Sequence, residues 1–336
     1  MQSQDLSSCL AALQGAQTPS QDSILSLARA CVPPLGEKTS KGEAGRVGVI
    51  GGSFEYTGAP YFAAYTALRA GSDIVHIFCE TRAGGPIKSY SPELIVHPLL
   101  LVSDDPTEER GAAAYQQLSE WVARLDGILL GPGLGRDELV LQTCSRLLLL
   151  VAELGKPMIL DADGLYILTQ AIREGERGSS LQKQLLGAMR TAHVTLTPNK
   201  VEFERLCRAL KVGEEEEDKL GKAAELACSV AGRIGENVVL VVKGSSDVIC
   251  SDSSTWLCDD KGSLRRAGGQ GDVLAGLMLT FAVWGNSSSS SSSSSLPPPL
   301  VALMERQVAK LSALKAFEKK KRAMTASDVM EEVRAE

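Results

Sequence analysis

The chain predicts an α/β protein in which a mainly parallel sheet is covered by helices on both faces. Three observations lead there. Short apolar runs that read as buried strands alternate with stretches whose apolar residues recur at helical spacing. Strand after strand runs directly into a glycine-rich or polar loop, and the intervening segments are long enough for right-handed crossover helices.

The first unit opens with the strand Arg46 to Ile50, RVGVI, followed by GGS at Gly51 to Ser53, a helix over Ala59 to Ala70 and a second strand over Asp73 to Cys79. Trp121 to Leu125 closes a helix before the strand Gly127 to Leu130 and the loop Gly131 to Gly135. A helix over Glu138 to Leu154 precedes the strand Met158 to Leu160 and the sequence DADG at Asp161. Strand His193 to Leu196 leads to TPN at Thr197 and a helix ending at Leu210. Strand Val238 to Val242 leads to KGSSD at Lys243, and alternation between Val248 and Cys258 predicts an antiparallel hairpin with serines at its tip. In an open α/β sheet, loops leaving the strand ends form the edge where ligands bind. Any one of these loops could merely reverse the chain; five with this chemistry on one edge point to a site.

A length of 336 residues with 44% hydrophobic content is ample for a large core. The reading is a single catalytic domain over 21–336, beginning with a short helix over Gln21 to Cys31, behind a frayed, disordered tail over 1–20. The nine serines from Ser287 to Ser295 and the prolines after Leu296 form a low-complexity, disordered insertion at 286–299. Glu214 to Asp218 reads as a solvated surface insert. A net charge of −6 offers no electrostatic case for nucleic acid or an anionic membrane, and the basic run Lys319 to Arg322 reads as a solvated helix end. No run reaches the ~18 to 20 apolar residues of a membrane span. The eight cysteines lack CxxC spacing, and His76, His97 and His193 stand far apart without metal-ligand spacing. A reduced, cytoplasmic protein without a targeting segment is expected.

The chemistry concentrates in Arg265 to Met278, RRAGGQGDVLAGLM. Glycines let the backbone approach a ligand, and a helix start offers free N–H donors with a partial positive charge, so phosphate suits this place. Asp272 then has two readings: a cap on the helix, or a general base for a hydroxyl lying beside the phosphate. The dinucleotide fingerprint and the Walker A pattern are both absent, which argues against a hydride-transferring dehydrogenase and a P-loop enzyme.

The GGQGD core resembles the ribokinase-like superfamily. More closely, GGSFEYTGAPYFAAYTALRAGSDIVHIFC from Gly51, SYSPELIVHPLL from Ser89, GPGLGRD from Gly131, DADGLYIL from Asp161, LTPNKVEFERL from Leu196, KGSSD, RRAGGQGD and KKRAMTASDV from Lys320 resemble the eukaryotic ATP-dependent NAD(P)H-hydrate dehydratases. The likeness runs in unbroken order from about Val32 to Val333. It implies a three-layer ribokinase-like fold and a lyase that uses ATP, with Mg²⁺, to remove water from the (S)-form of hydrated NADH or NADPH, working alongside an NAD(P)H-hydrate epimerase.

Carried over by position, the resemblance implies that Gly133, Asn199, Lys200, Val201, Glu202, Phe203, Glu204 and Arg205 bind the hydrated dinucleotide, with Asp272 catalytic and facing it. ATP is assigned to Lys243, Gly244, Ser245, Ser246 and Asp247, and to Gly262, Ser263, Leu264, Arg265, Arg266, Ala267, Gly268, Gly269, Gln270 and Gly271. No residue binds metal directly; Mg²⁺ is bridged by ATP, with Asn199 and Glu202 as candidates through water. Two departures from the family pattern stand out. Ala267 replaces a small polar residue or cysteine, and the helix from Leu300 carries the bulkier Met304, Arg306 and Gln307 where small residues are expected beside the nucleotide. The alternative is a ribokinase-like kinase of a small alcohol or vitamin precursor that stops at the phosphoester; a non-catalytic nucleotide-binding regulator is disfavoured by the presence of Asp272 and the glycines.

Overall fold

In the computed structural model, which describes residues 21–37, 39–104, 108–213, 220–251, 254–286 and 298–333, one nine-stranded sheet organises the chain. Its strands are β1 (Arg46–Ile50), β2 (Ile74–Glu80), β3 (Ile95–Leu100), β4 (Gly127–Leu130), β5 (Met158–Leu160), β6 (Val194–Leu196), β7 (Val238–Val242), β8 (Asp247–Cys250) and β9 (Thr255–Cys258). They lie in the order β3-β2-β1-β4-β5-β6-β7-β8-β9. The first seven are parallel, and β8 and β9 add the expected antiparallel hairpin. The edge strand β3 escapes the pattern argument because Pro98 interrupts it, and proline is tolerated only where a missing N–H costs no ladder bond.

In chain order the helices are α1 (Gln21–Cys31), α2 (Gly58–Ala70), α3 (Gly84–Tyr90), α4 (Glu108–Arg124), α5 (Glu138–Glu153), α6 (Asp163–Glu174), α7 (Ser180–Met189), α8 (Lys200–Leu210), α9 (Leu220–Ile234), α10 (Gln270–Asn286), α11 (Pro298–Lys320) and α12 (Ala326–Glu332). Helices α1–α3 and α10–α12 cover one face of the sheet and α4–α9 the other. The two-residue period of a strand feeds both layers at once. Ile128 and Leu130 enter one core and Leu129 the other; Val238 and Leu240 oppose Val239 and Val241. This is why the strands read as continuous apolar runs and not as alternating ones. The expectations for residues 1–20, 214–218 and 287–297 lie outside the described residues, whereas the ends of the expected disordered insertion are ordered: Asn286 closes α10, and Pro298 and Pro299 open α11, where proline fits because first-turn N–H groups need no helical partner. Among those described, no helix is long and apolar enough to cross a membrane.

Helix α10 is buried almost all round, from Val273 to Phe281 and again at Val283 and Trp284. A helix apolar on every side belongs in an interior. It reaches its place because Gly276 lies flat against α2: a Cβ there would stand 2.1 Å from the Ala63 carbonyl oxygen. Where α11 ends, the basic run is exposed as expected, and Lys320 approaches Asp328 at 3.7 Å.

Two histidines that the sequence leaves far apart meet across neighbouring strands. His76 Nδ1 and His97 Nε2 share a hydrogen bond at 2.9 Å, under the ring of Trp121. Burial pushes His76 down to about 4 and also lowers His97, so the pair is neutral at physiological pH.

Replacing Gly276 with alanine is expected to lower the unfolding free energy by about 1 to 3 kcal/mol through overpacking against α2. A denaturant midpoint equal to that of the unaltered protein would contradict this packing.

Candidate active site

Because β1 to β7 are parallel, their following loops all emerge on one edge. The strand order reverses beside β1, which pairs with β2 on one side and β4 on the other, and this is where open α/β sheets bind ligands. The loops there interlock through backbone contacts that admit no side chain. A Cβ on Gly131 would lie 1.8 Å from the Asp161 carbonyl oxygen, and one on Gly164 would lie 2.3 Å from that of Leu130. The amides agree: Asp161 N donates to Leu130 O at 3.1 Å and Gly164 N to Asp161 O at 2.8 Å.

Inside this clamp Ala162 is held at φ 47° and ψ −115°, a region that alanine avoids. Strain of this kind costs on the order of 1–3 kcal/mol and persists only where neighbours over-determine it. Its consequence is the placement of Asp161, which is 4% exposed. Thr197 Oγ1 donates to Asp161 Oδ1 at 2.6 Å, and Lys243 Nζ donates to the same oxygen at 2.8 Å. Lys243 is itself fixed through its backbone, whose amide donates to Pro198 O at 2.8 Å. Three strand ends thus converge on one ion pair.

The N-terminus of α10 faces that pair. Val273 N donates to Gly269 O at 3.0 Å, so Gly269 holds the cap position and Asp272 sits within the first turn. Asp272 is therefore not the cap residue, although its carboxylate accepts from its own first-turn N–H. Gly269, at φ 89°, is wedged against Phe62 and Ala326. Gly271 is open: a Cβ there would meet nothing closer than Lys243 Nζ at 3.7 Å and Asp161 Oδ2 at 4.0 Å. Space next to free helix N–H groups and a lysine is space for phosphate. Burial, and next the negative charge of Asp161, push Asp272 up to about 7, while Lys243 pulls the other way. A half-buried carboxyl tuned close to neutrality is suited to proton abstraction.

The remaining sequence-derived residues divide by the face on which they lie. In α8, Asn199 and Glu202 form a capping box: Glu202 N donates to Asn199 Oδ1 at 3.0 Å and Asn199 N to Glu202 Oε2 at 2.8 Å. Glu202 is nevertheless part of the site's field, raised by desolvation and influenced by both Lys243 and Asp161. Lys200, Val201, Glu204 and Arg205 are exposed, whereas Phe203 is turned into the core. Gly133, at φ 59°, abuts the loop carrying the exposed Tyr56. After β7, Gly244 and Ser245 are exposed and Ser246 is half-buried, but Asp247 is fully buried. It accepts from Gly244 N at 2.8 Å and is gripped by Arg306 at 2.6 Å and Lys310 at 2.9 Å.

The bulky residues of α11 thus have a purpose. Arg306 and Lys310 neutralise Asp247, and Gln307 donates to Asp260 at 3.2 Å, tying the β8–β9 hairpin to the helix layer. From Gly262 to Gln270 the backbone forms a folded loop. Ser263 Oγ donates to Arg265 O, Gln270 Nε2 donates to the same carbonyl, and both contacts are 2.9 Å. Leu264, Arg265, Arg266 and Gly268 are exposed and Ala267 is half-buried. Asp161 is the member of the site that motif reasoning passed over. Its signal was present in DADG at a strand end, yet only folding shows that the aspartate turns toward Lys243.

The sheet order, the strand-end site and the glycine-led helix define a ribokinase-like protein. The fold is shared with a ribokinase-like superfamily protein from Enterococcus faecalis V583, at a TM-score of 0.69 and 20% identity over 95% of this chain and 94% of that one. It is shared too with the ADP/ATP-dependent NAD(P)H-hydrate dehydratase of Bacillus subtilis co-crystallized with ATP/Mg²⁺, at a TM-score of 0.62 and 22% identity over 92% and 95% of the two chains. Residues 47–334 match the NAD(P)H-hydrate dehydratase family model, and the chain belongs to that family. The ATP-dependent (S)-NAD(P)H-hydrate dehydratase of Aedes aegypti is 40% identical over 313 residues, which span 92% of this chain and 82% of the relative.

A folded-state value of about 7 against an ordinary 3.8 means that the folded protein binds the Asp272 proton more tightly than the unfolded chain does. This contribution to stability is fully present below about pH 4 and is lost as pH rises through about 7. Asp272→Asn is therefore expected to raise the thermal midpoint at pH 8, with the gain shrinking toward pH 4. Parallel melting curves across that range check the sign.

Proposed function

We propose that this chain uses ATP to dehydrate the (S)-form of hydrated NADH and NADPH, restoring the reduced cofactor. The observation that carries the reading is the meeting of Asp272, held near neutrality, with Lys243 and an open helix N-terminus. Phosphate and a hydroxyl can lie side by side there. Asp272 accepts the proton of the ring hydroxyl, and the freed oxygen attacks the γ-phosphorus of ATP, displacing ADP. The new phosphoester then eliminates: the carbon–oxygen bond breaks with phosphate as leaving group, a proton leaves the adjacent ring carbon, and the double bond re-forms. Phosphorylation is needed because hydroxide is a poor leaving group.

The residues around this chemistry serve it electrostatically. First-turn amides of α10 and the Lys243 ammonium stabilise charge on the transferring group. Asp161 is a positioning residue: it holds Lys243 beside the helix terminus until phosphate competes for it. Among the described residues no cluster of three or more His, Cys, Asp or Glu could ligate a metal directly. Asp161 Oδ2, near the open face of Gly271, and the remaining Glu202 oxygen fit a magnesium ion held through water on the nucleotide, since Mg²⁺ keeps much of its hydration. There it would offset phosphate charge. Asn199 spends its side-chain oxygen on the helix cap. Because only one epimer is consumed, the enzyme works alongside an epimerase that converts the other.

With hydrated NADH, Mg²⁺ and ATP, the purified protein is expected to regenerate the dihydronicotinamide absorbance; accumulation of a stable phosphoester instead would make it a kinase. Asp272→Asn should bind ATP normally and lose at least about a hundredfold in kcat. In the unaltered enzyme kcat/KM should rise with pH through about 7, the value of Asp272. Asp161→Asn should move this limb to lower pH and Lys243→Ala to higher pH, since the two charges act on Asp272 in opposite senses. Shifts of the same sign would refute the arrangement.

A further inference from the structure

Beside the site, a cavity of about 520 Å³ opens between α6 and α8, and apart from Glu202 and Arg205 its lining has been given no part in binding or chemistry so far. Its size suits a sizeable part of a small-molecule ligand. Its near end is formed by Asp163 and Glu202, and Glu202 feels both Asp161 and Lys243, so the cavity continues from the catalytic centre. Helices α6 and α8 both start at the carboxyl edge, after β5 and β6, and the cavity follows them outward to Arg173 and Arg208. At 1.5 Å per residue the ten steps from Asp163 to Arg173 cover about 15 Å. That is the scale of an extended dinucleotide's second half.

Four arginines line this cavity, Arg136, Arg173, Arg205 and Arg208, against two acids. Arg136 is pre-organised: Asp163 holds it at 3.3 Å and its guanidinium stacks 4.2 Å above the Tyr166 ring. The far pair is only loosely engaged. Arg173 stands 3.5 Å from Glu174, Arg208 stands 3.8 Å from Glu204, and both guanidinium side chains are well exposed. Exposed pairs at such distances contribute little, so both forks are available to an anion. Guanidinium matches phosphate bidentately, and a stacked arginine and tyrosine suit a flat base.

We propose that this cavity receives the distal half of the hydrated dinucleotide, its pyrophosphate at Arg136 and Arg205 and its phosphorylated ribose at Arg173 and Arg208. The inference rests on the hydrated dinucleotide being the substrate. It makes the outer arginines specificity-determining: hydrated NADPH carries the ribose phosphate they would bind, and hydrated NADH does not.

The test is the double variant Arg173→Ala, Arg208→Ala, in which neither residue is buried. KM for hydrated NADPH is expected to rise about tenfold with kcat nearly unchanged, while KM for hydrated NADH and for ATP move less than about twofold. Adenosine 2′,5′-bisphosphate should bind the unaltered protein by calorimetry and bind the double variant at least about tenfold more weakly. Unchanged KM values, or equal rises for both hydrates, would overturn the assignment. The calorimetric arm requires no turnover. If the unaltered protein failed to dehydrate either hydrate, the reaction would fall while the cavity was still decided by the bisphosphate.

Discussion

The ion pair between Asp161 and Lys243 is the hinge of the site, and much of the surrounding architecture exists to hold it. Lys243 comes from the end of β7, Asp161 from the end of β5, and Thr197 from the strand between them. None could meet unless the parallel register brought three strand ends to one level. The strained Ala162 and the glycine contacts at 131 and 164 then turn the carboxylate inward. A buried aspartate with two donors on one oxygen is stable; without them it would be an uncompensated charge.

That pair gives Asp272 its chemistry. A lone half-buried carboxyl has its charged form disfavoured by desolvation, and a second carboxylate nearby disfavours it further. Lys243 restrains the rise, leaving the acid poised at about 7. The same lysine sits 3.7 Å from where a Cβ of Gly271 would be, so one cation adjoins both the proposed base and the proposed phosphate site. In the proposed reaction, phosphate that drew Lys243 away would change the balance around Asp272 as its proton moves. Phosphate binding and base strength would then be coupled through one side chain.

The resemblance of ordered motifs named the family, but motifs do not distinguish the faces of a helix or a turn. The segment Asn199 to Arg205 reads as one binding stretch, yet helical geometry sends Phe203 into the core and Arg205 toward solvent. KGSSD reads as one phosphate loop, yet Asp247 turns back onto Arg306 and Lys310. The same helical residues looked like a disturbance beside the nucleotide when read in line. In space they are the counter-charges of a buried acid. The His76–His97 contact was hidden for a related reason, since it depends on the register of β2 against β3 and not on spacing along the chain.

Sequence alone determined the class of fold, the edge that carries the candidate site, and the glycine-led helix with its aspartate. These follow from local periodicity and from glycine at helix starts, properties that a linear chain displays directly. Tertiary structure decided the rest: that Asp272 lies inside the first turn and not at the cap, that Asp161 joins Lys243, and that four arginines line a cavity between α6 and α8. Each depends on strand register or helix rotation, which bring together residues tens of positions apart. Coulomb energy and desolvation act across distances in space, and only the folded chain has those distances.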